Sequence, residues 1–290
     1  LRPEATTARA WFGALTERTG SLDDETDYWI ARSPERPTPL ATVPRTEPDF
    51  GDTDERTIRL DSSLSKKLLT TVPEAFDGAV TDVLLAAMAR AVRSWQRAVG
   101  IADDRAVGVL VESHGRYEDI HEGGDDPRTS DLSRTVGWFT SIAPFALDPA
   151  ADMIHAVKAA KEERLGQPRH GLGFGVLWTT EGSVIADRPL PSIAFNYFGG
   201  RGTESDVSGS ASMLPAGDAP ALPSFTHGRL RQAGVVAVNV HVAPGDGGPE
   251  IVSSWAYPDE PEMASAVDDI VSRWRDELAA VVAVVTTTDP

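Results

Sequence analysis

The sequence predicts an α+β fold of two layers, with helices packed on a mixed sheet. Three observations predict it. Two strongly periodic helical segments, over 82–99 and 261–285, can cover one face of a sheet. Two alternating segments flank a glycine-rich turn, the signature of an antiparallel hairpin. Helices and hairpins follow one another without a strict strand–helix–strand rhythm, which argues for a mixed rather than an all-parallel sheet.

The elements follow in order. Residues 1–33 read as helix, with Trp11, Phe12, Leu15 and then Tyr28 and Trp29 as apolar stripes, and Asp23, Asp24, Glu25 and Asp27 on the wet side. Residues 34–54 carry Pro34, Pro37, Pro39, Pro44 and Pro48 among many charges, and read as a linker or surface crossover. Thr57–Leu60 alternates like a strand. The clearest helix is Asp82–Val99, capped by Thr81 or Asp82 and ended by Gly100. Val83, Leu84, Ala87, Met88, Ala91, Val92 and Trp95 share one face of it. Val107–Val111 is a buried strand, and 121–131 a polar loop.

Asp148-Pro149 is a cap and first turn for a helix marked by Met153, Val157 and Ala160 and stopped near Gly166. Ser192–Phe198 reads as a strand, and 199–223 as a long loop rich in Gly, Ser, Ala and Pro. Gly234–Ala243 sets Val236, Val238, Val240 and Val242 on one face. The turn Pro244–Gly248 leads into Ile251–Tyr257. The last helix, Pro261–Val285, turns Val267, Ile270, Val271, Trp274, Leu278, Val281 and Val282 inward.

Composition narrows the function. The 290 residues allow one large domain or two small ones. With 41% hydrophobic and 24% charged residues, wholesale disorder is excluded. The net charge of −17 argues against nucleic acid and against an anionic membrane surface, both of which need a basic footprint. Absence of cysteine excludes disulfides, a thiolate nucleophile and zinc–thiolate sites, and suits a cytoplasmic protein. The longest apolar stretch, near Leu278–Val285, falls short of the ~20 residues a spanning helix needs. The N-terminus has no signal-peptide core and no initiator Met, and reads as a cut from a longer chain.

The chemistry concentrates after the strand at 107–111. In Val111-Glu112-Ser113-His114-Gly115-Arg116 the polar groups emerge at a strand end. Glu112 beside apolar residues fits an acid or base of raised pKa. The alternative is that Glu112 pairs with Arg116 and His114 bonds to backbone. Arg134-Thr135-Val136-Gly137-Trp138-Phe139-Thr140 reads either as the lining of a channel for an extended ligand or as a core strand in which Gly137 permits close approach. Gly171-Leu172-Gly173-Phe174-Gly175 lacks the following Lys-Ser/Thr and the acidic residue of a nucleotide site. Ser208–Ser212 lacks the strand–turn–helix setting of a nucleophile elbow. The six His residues, at 114, 121, 155, 170, 227 and 241, show no metal-ligand spacing, and only His114 stands near other candidate groups. No metal site is expected.

Taken together, these segments resemble the condensation/epimerization superfamily of nonribosomal peptide synthetases. Thr81–Ala87 is similar to the family's Asp-x-Leu-Leu helix, and Glu112–Arg116 to the Glu-Gly-His-Gly-Arg-Glu motif of epimerization domains. Arg134–Thr140 matches Arg-Thr-Val-Gly-Trp-Phe-Thr. Gly171–Gly175 resembles Gly-x-Gly-Tyr-Gly, and Phe195-Asn196-Tyr197-Phe198-Gly199 resembles Phe-Asn-Tyr-Leu-Gly. The resemblance implies a chloramphenicol-acetyltransferase-like lobe. It divides the chain into an inter-lobe helix and crossover linker over 1–54 and a C-terminal lobe over 55–290. The His-His-x-x-x-Asp-Gly motif of the first lobe has no counterpart here, so that N-terminal lobe is an expected partner.

The resemblance also implies the site. Glu112 is its catalytic group if the domain is an epimerase, with His114 beside it; Arg116, Trp138, Thr140, Ala143, Asn196 and Tyr197 are expected to line the cleft. No cofactor is expected in the domain itself, because a phosphopantetheine arm arrives on a peptidyl carrier protein. Ser113 replaces a family Gly, Tyr117 a Glu, and Ala143 a Tyr, and Ala143 can neither donate nor transfer a proton. These departures resemble the X domain of glycopeptide-antibiotic synthetases, which recruits cytochrome P450 oxygenases to a carrier-bound peptide. The leading expectation is therefore a non-catalytic recruiting domain. The alternative is an active peptidyl epimerase with Glu112 as acid/base; a condensation domain fits less well.

Overall fold

The computed structural model describes residues 6–17, 22–33, 35–40, 47–117, 131–150, 152–200 and 229–287. The helices are α1 (Ala8–Glu17), α2 (Asp23–Arg32), α3 (Ser62–Leu69), α4 (Thr71–Ala75), α5 (Val80–Ala98), α6 (Met153–Leu165), α7 (Leu172–Thr179) and α8 (Pro261–Thr287). The strands are β1 (Thr53–Arg59), β2 (Val107–Ser113), β3 (Ser141–Leu147), β4 (Ile193–Gly200), β5 (Val236–Gly245) and β6 (Gly248–Pro258). They form one mixed sheet in the order β1-β6-β5-β4-β2-β3. β4 runs parallel to β2 and β5, and the other neighbours are antiparallel.

Alternation along the strands builds two cores. Val107, Val109 and Val111 of β2 join Phe195, Val238, Val240 and Trp255 beneath α3, α5, α6 and α8. Leu110 points the other way, into a smaller core with Trp29 of α2 and Phe174 and Leu177 of α7. The valine stripe of β5 and all seven inward residues anticipated for α8 are where the pattern put them; Val242 alone is only half-buried. The hairpin is present, but its turn is Asp246-Gly247 alone, because Pro244 and Gly245 already pair with Pro249 and Gly248.

Several expectations shift. Helix over 1–33 becomes α1 and α2, and residues 18–21 lie outside the described residues. Glu25 is not on the wet side: it is 2% exposed, bonded to Trp29 and Arg169. Asp82 is not the cap of α5 but its third residue. Its carboxylate accepts from the Ala79 amide at 2.8 Å. The cap of α6 is Asp152, which accepts from the His155 amide at 3.0 Å, rather than Asp148. β1 runs Thr53–Arg59 rather than Thr57–Leu60, because Thr53–Arg56 forms a polar sheet edge with no apolar alternation to announce it. The loop read over 199–223 does not begin at 199, because Gly199 and Gly200 belong to β4. The loop readings for 121–130 and 201–223, the Ser208–Ser212 segment, His121 and His227 lie outside the described residues.

Candidate active site

Strand register creates the central pair. β2 and β4 run parallel with Val109, Leu110 and Val111 opposite Ile193, Ala194 and Phe195. One residue further along, Glu112 and Asn196 stand side by side, next to the carboxyl end of β2 and midway along β4. The Asn196 amide Nδ2 donates to Glu112 Oε2 at 2.8 Å. Among the described residues no cation pairs with Glu112. Its carboxyl is half-buried, and burial pushes its pKa above the ordinary range.

Both side chains line a cavity of about 730 Å³. Thr140, Ala143, Tyr197 and His114 share its wall, as do Tyr117, His170 and Arg164. Burial also raises the Tyr197 phenol. The His114 imidazole is held below its ordinary pKa by burial first, then by His170 and Arg116. Its Nδ1 accepts the Arg116 amide at 2.9 Å. Tyr117 lies between two imidazoles, with ring centroids 4.5 Å from His114 and 4.1 Å from His170; the latter pair is stacked within 10° of parallel. Arg164 is held by a bidentate pair to the fully buried Asp82 at 2.6 and 2.9 Å.

Arg116 and Trp138 are placed elsewhere. Arg116 does not pair with Glu112; its guanidinium donates to the carbonyls of Leu132, Thr135 and Gly137 at 3.0, 2.9 and 3.3 Å, and lies 4.1 Å over the Phe139 ring. Arg134–Thr140 is accordingly neither a core strand nor, as a whole, a channel lining. Thr135 and Phe139 are buried, Thr140 reaches the cavity, and Val136 and Trp138 point outward, 92% and 83% exposed. Gly115 makes this packing possible. It has φ +63°, and a Cβ there would lie 1.7 Å from the Phe139 carbonyl oxygen.

Thus Glu112, His114, Thr140, Ala143, Asn196 and Tyr197 come together, while Arg116 acts one layer behind. His170 and Arg164 are additions that sequence reasoning missed. His170 is one of several scattered histidines, 56 positions from His114, and nothing local marks it. Arg164 could be found only by recognising that Asp82, inside an apolar helix face, needs a buried partner. Among the described residues no three His, Asp or Glu side chains are grouped to hold a metal ion. No helix among them is long and apolar enough to cross a membrane.

Comparison with known proteins bears on these features. Residues 15–199 match the family model described as the condensation domain. A linear gramicidin synthase polypeptide of Brevibacillus parabrevis is 31% identical over 302 residues, covering 98% of this chain. The chain spans 5% of that protein's length. The epimerization domain from the third module of tyrocidine synthetase B superposes with a TM-score of 0.75 at 22% identity, over 99% of this chain and 62% of its own. The X-domain in the complex of the X-domain and OxyB from teicoplanin biosynthesis gives 0.57 at 15% identity, over 95% and 56%. The six-stranded mixed sheet with its helices is the chloramphenicol-acetyltransferase-like fold of these neighbours.

Proposed function

This chain belongs to the condensation-domain family, and from that premise we propose that its cavity moves the Cα proton of an aminoacyl or peptidyl thioester, with Glu112 as the acid/base. One observation carries the reading: Glu112 is a half-buried carboxylate facing a cavity, held, among the described residues, by a single amide donor and no cation. Burying a carboxylate without a cation costs stability, which a docking scaffold has no use for and a proton acceptor requires. A carrier protein presents the thioester on its phosphopantetheine arm. Glu112 takes the Cα proton as the C–H bond breaks, and the electron pair passes into the thioester enolate. Reprotonation from the opposite face gives the other configuration. The acid for that step is a His of the companion N-terminal lobe, as the family resemblance implies.

A second reading rests on Ala143 and Tyr117, which lack the acid and donor of the epimerization pattern. Under it the domain recruits a cytochrome P450 oxygenase. The support is those two positions, the −17 charge available to a basic partner, and the teicoplanin X-domain neighbour in complex with OxyB. Under either reading the chain works in the cytoplasm on carrier-bound substrate. Solvent-deuterium incorporation at Cα of a peptidyl–carrier substrate, in the two-lobe protein, separates them. Incorporation abolished in Glu112→Gln supports the epimerase. No incorporation, with salt-sensitive co-elution of a P450 enzyme from the same biosynthetic cluster, supports recruitment.

A further inference from the structure

Three consecutive residues beside the cavity adopt left-handed backbone conformations. Arg169 has φ 46° and ψ 39°, His170 has φ 54° and ψ 27°, and Gly171 has φ 83°. Glycine adopts this conformation freely; two successive side-chain-bearing residues hold it only when their surroundings impose it. At Gly171 the fit is tight, because a Cβ would meet Ala143 Cβ at 2.9 Å and the Gln167 side chain at 2.8 Å.

The surroundings that impose the turn come from α2. The Arg169 guanidinium donates to Glu25 Oε1, and a second nitrogen lies 3.5 Å from Asp24. Glu25 is itself fixed. Its other oxygen accepts from Trp29 Nε1 at 2.8 Å, and Trp29 is fully buried against Phe174. The carboxylate lies over Gly173, where a Cβ would come within 2.0 Å of Oε2. An acid buried on the inner side of α2 thus grips the residue immediately before His170, and His170 stacks on Tyr117 in the cavity.

We propose that Glu25 and Arg169 are positioning residues that hold His170 on Tyr117 and thereby set the environment of His114 in the candidate active site. The significance of this brace rests on the reading of that cavity as the site. Its existence does not. Displacing α2 would remove this grip from the turn that carries His170, so the α2 segment and the cavity are mechanically linked. Among the described residues, the charged and titratable groups around His114 are Arg116 of its own loop, Tyr117, His170 from the turn, Glu112 of β2, and Arg164 of α6 neutralised by Asp82 of α5. Of these, the proposal moves Tyr117 and His170 alone.

The test uses NMR on the two-lobe protein with selectively labelled histidine. The His114 and His170 ring signals are assigned by single His→Gln variants. Two variants break the brace in opposite ways. Glu25→Gln keeps an acceptor for Trp29 and removes the charge. Arg169→Gly removes the guanidinium while relieving the left-handed strain; it leaves the buried Glu25 without its cation, so both variants are read well below their melting temperatures. In both, the ring-current shift of the His170 protons over Tyr117 should be lost. The His114 pKa should rise toward the ordinary imidazole value, because His114 loses burial and a neighbouring imidazole. Unchanged His170 shifts and an unchanged His114 titration in folded Arg169→Gly would overturn the brace, whatever happened to thermal stability. Cα deuterium exchange by the two-lobe protein is read separately: none in the parent protein refutes the epimerase reading and leaves the NMR result for the brace intact.

Discussion

Asn196 donates a 2.8 Å hydrogen bond to Glu112 across two parallel strands, from one residue past the last paired position on each. The bond is a product of register. Slipping β4 by one residue would send Asn196 to the opposite face and bring Tyr197 alongside Glu112. The donor favours the carboxylate form while burial favours the neutral form, and burial prevails.

Replacing Glu112 with Gln should lower Cα deuterium incorporation by about 10²–10⁴-fold, the usual contribution of a positioned acid/base. Asn196→Ala should act differently. Loss of the donor raises the Glu112 pKa further, so the rising limb of the pH–rate profile moves to higher pH, with part of the limiting rate retained. Exchange assayed across pH separates the two variants.

The raised Glu112 pKa also predicts a stability effect. Its folded-state pKa lies above its unfolded value. The folded state therefore binds this proton more tightly, and stability is lost as pH rises from the unfolded value through the folded one. Glu112→Gln should melt above the parent protein at pH 7. That advantage should shrink as pH falls through the raised folded-state value and be gone below the ordinary carboxylate range, as read by thermal denaturation across pH.

Arg116→Ala should loosen the 131–140 loop without touching Glu112. The guanidinium satisfies three carbonyls and covers Phe139. Charged hydrogen bonds contribute about 1.5–3 kcal/mol each, not additively, so a loss of roughly 2–3 kcal/mol is expected. Hydrogen–deuterium exchange should quicken over residues 132–139. Arg116→Lys should rescue little, because one ammonium cannot reproduce a planar fork.

Asp82→Ala should cost about 3–5 kcal/mol, since it strands Arg164 beside the core and leaves the Ala79 amide without its acceptor. The double variant with Arg164→Met should recover part of that loss. Urea denaturation of the two singles and the double would measure the coupling.

Periodicity made β2, β4, β5, β6, α5 and α8 legible, because apolar side chains repeat with the period of the element that buries them. β3, Ser141–Leu147, escaped notice because Pro144 interrupts it, as did α7, Leu172–Thr179, which starts inside a glycine-rich run. α3 and α4 escaped too: Ser62–Leu69 and Thr71–Ala75 are short, and Asp61, which caps α3 through the Leu64 amide, lies two residues past the end of β1. The site was legible where it is local. Glu112 and His114 share one strand end, and Asn196 was reachable by resemblance. Arg116 was misread because its partners are backbone carbonyls, which leave no trace in residue type. Glu25 was misread because a charge on an amphipathic helix is ordinarily solvated, and its buried partner lies 144 positions away.

The contact between Glu25 and Gly173 restricts the order in which this chain can change. Any side chain at 173 collides with the carboxylate at 25, whereas position 25 can shrink while 173 remains glycine. A variant carrying both changes is reachable through loss of Glu25 first and closed in the reverse order. Gly173 is thus historically dependent on a residue 148 positions earlier, and a one-at-a-time survey of substitutions would score it as intolerant for a reason that belongs to its neighbour.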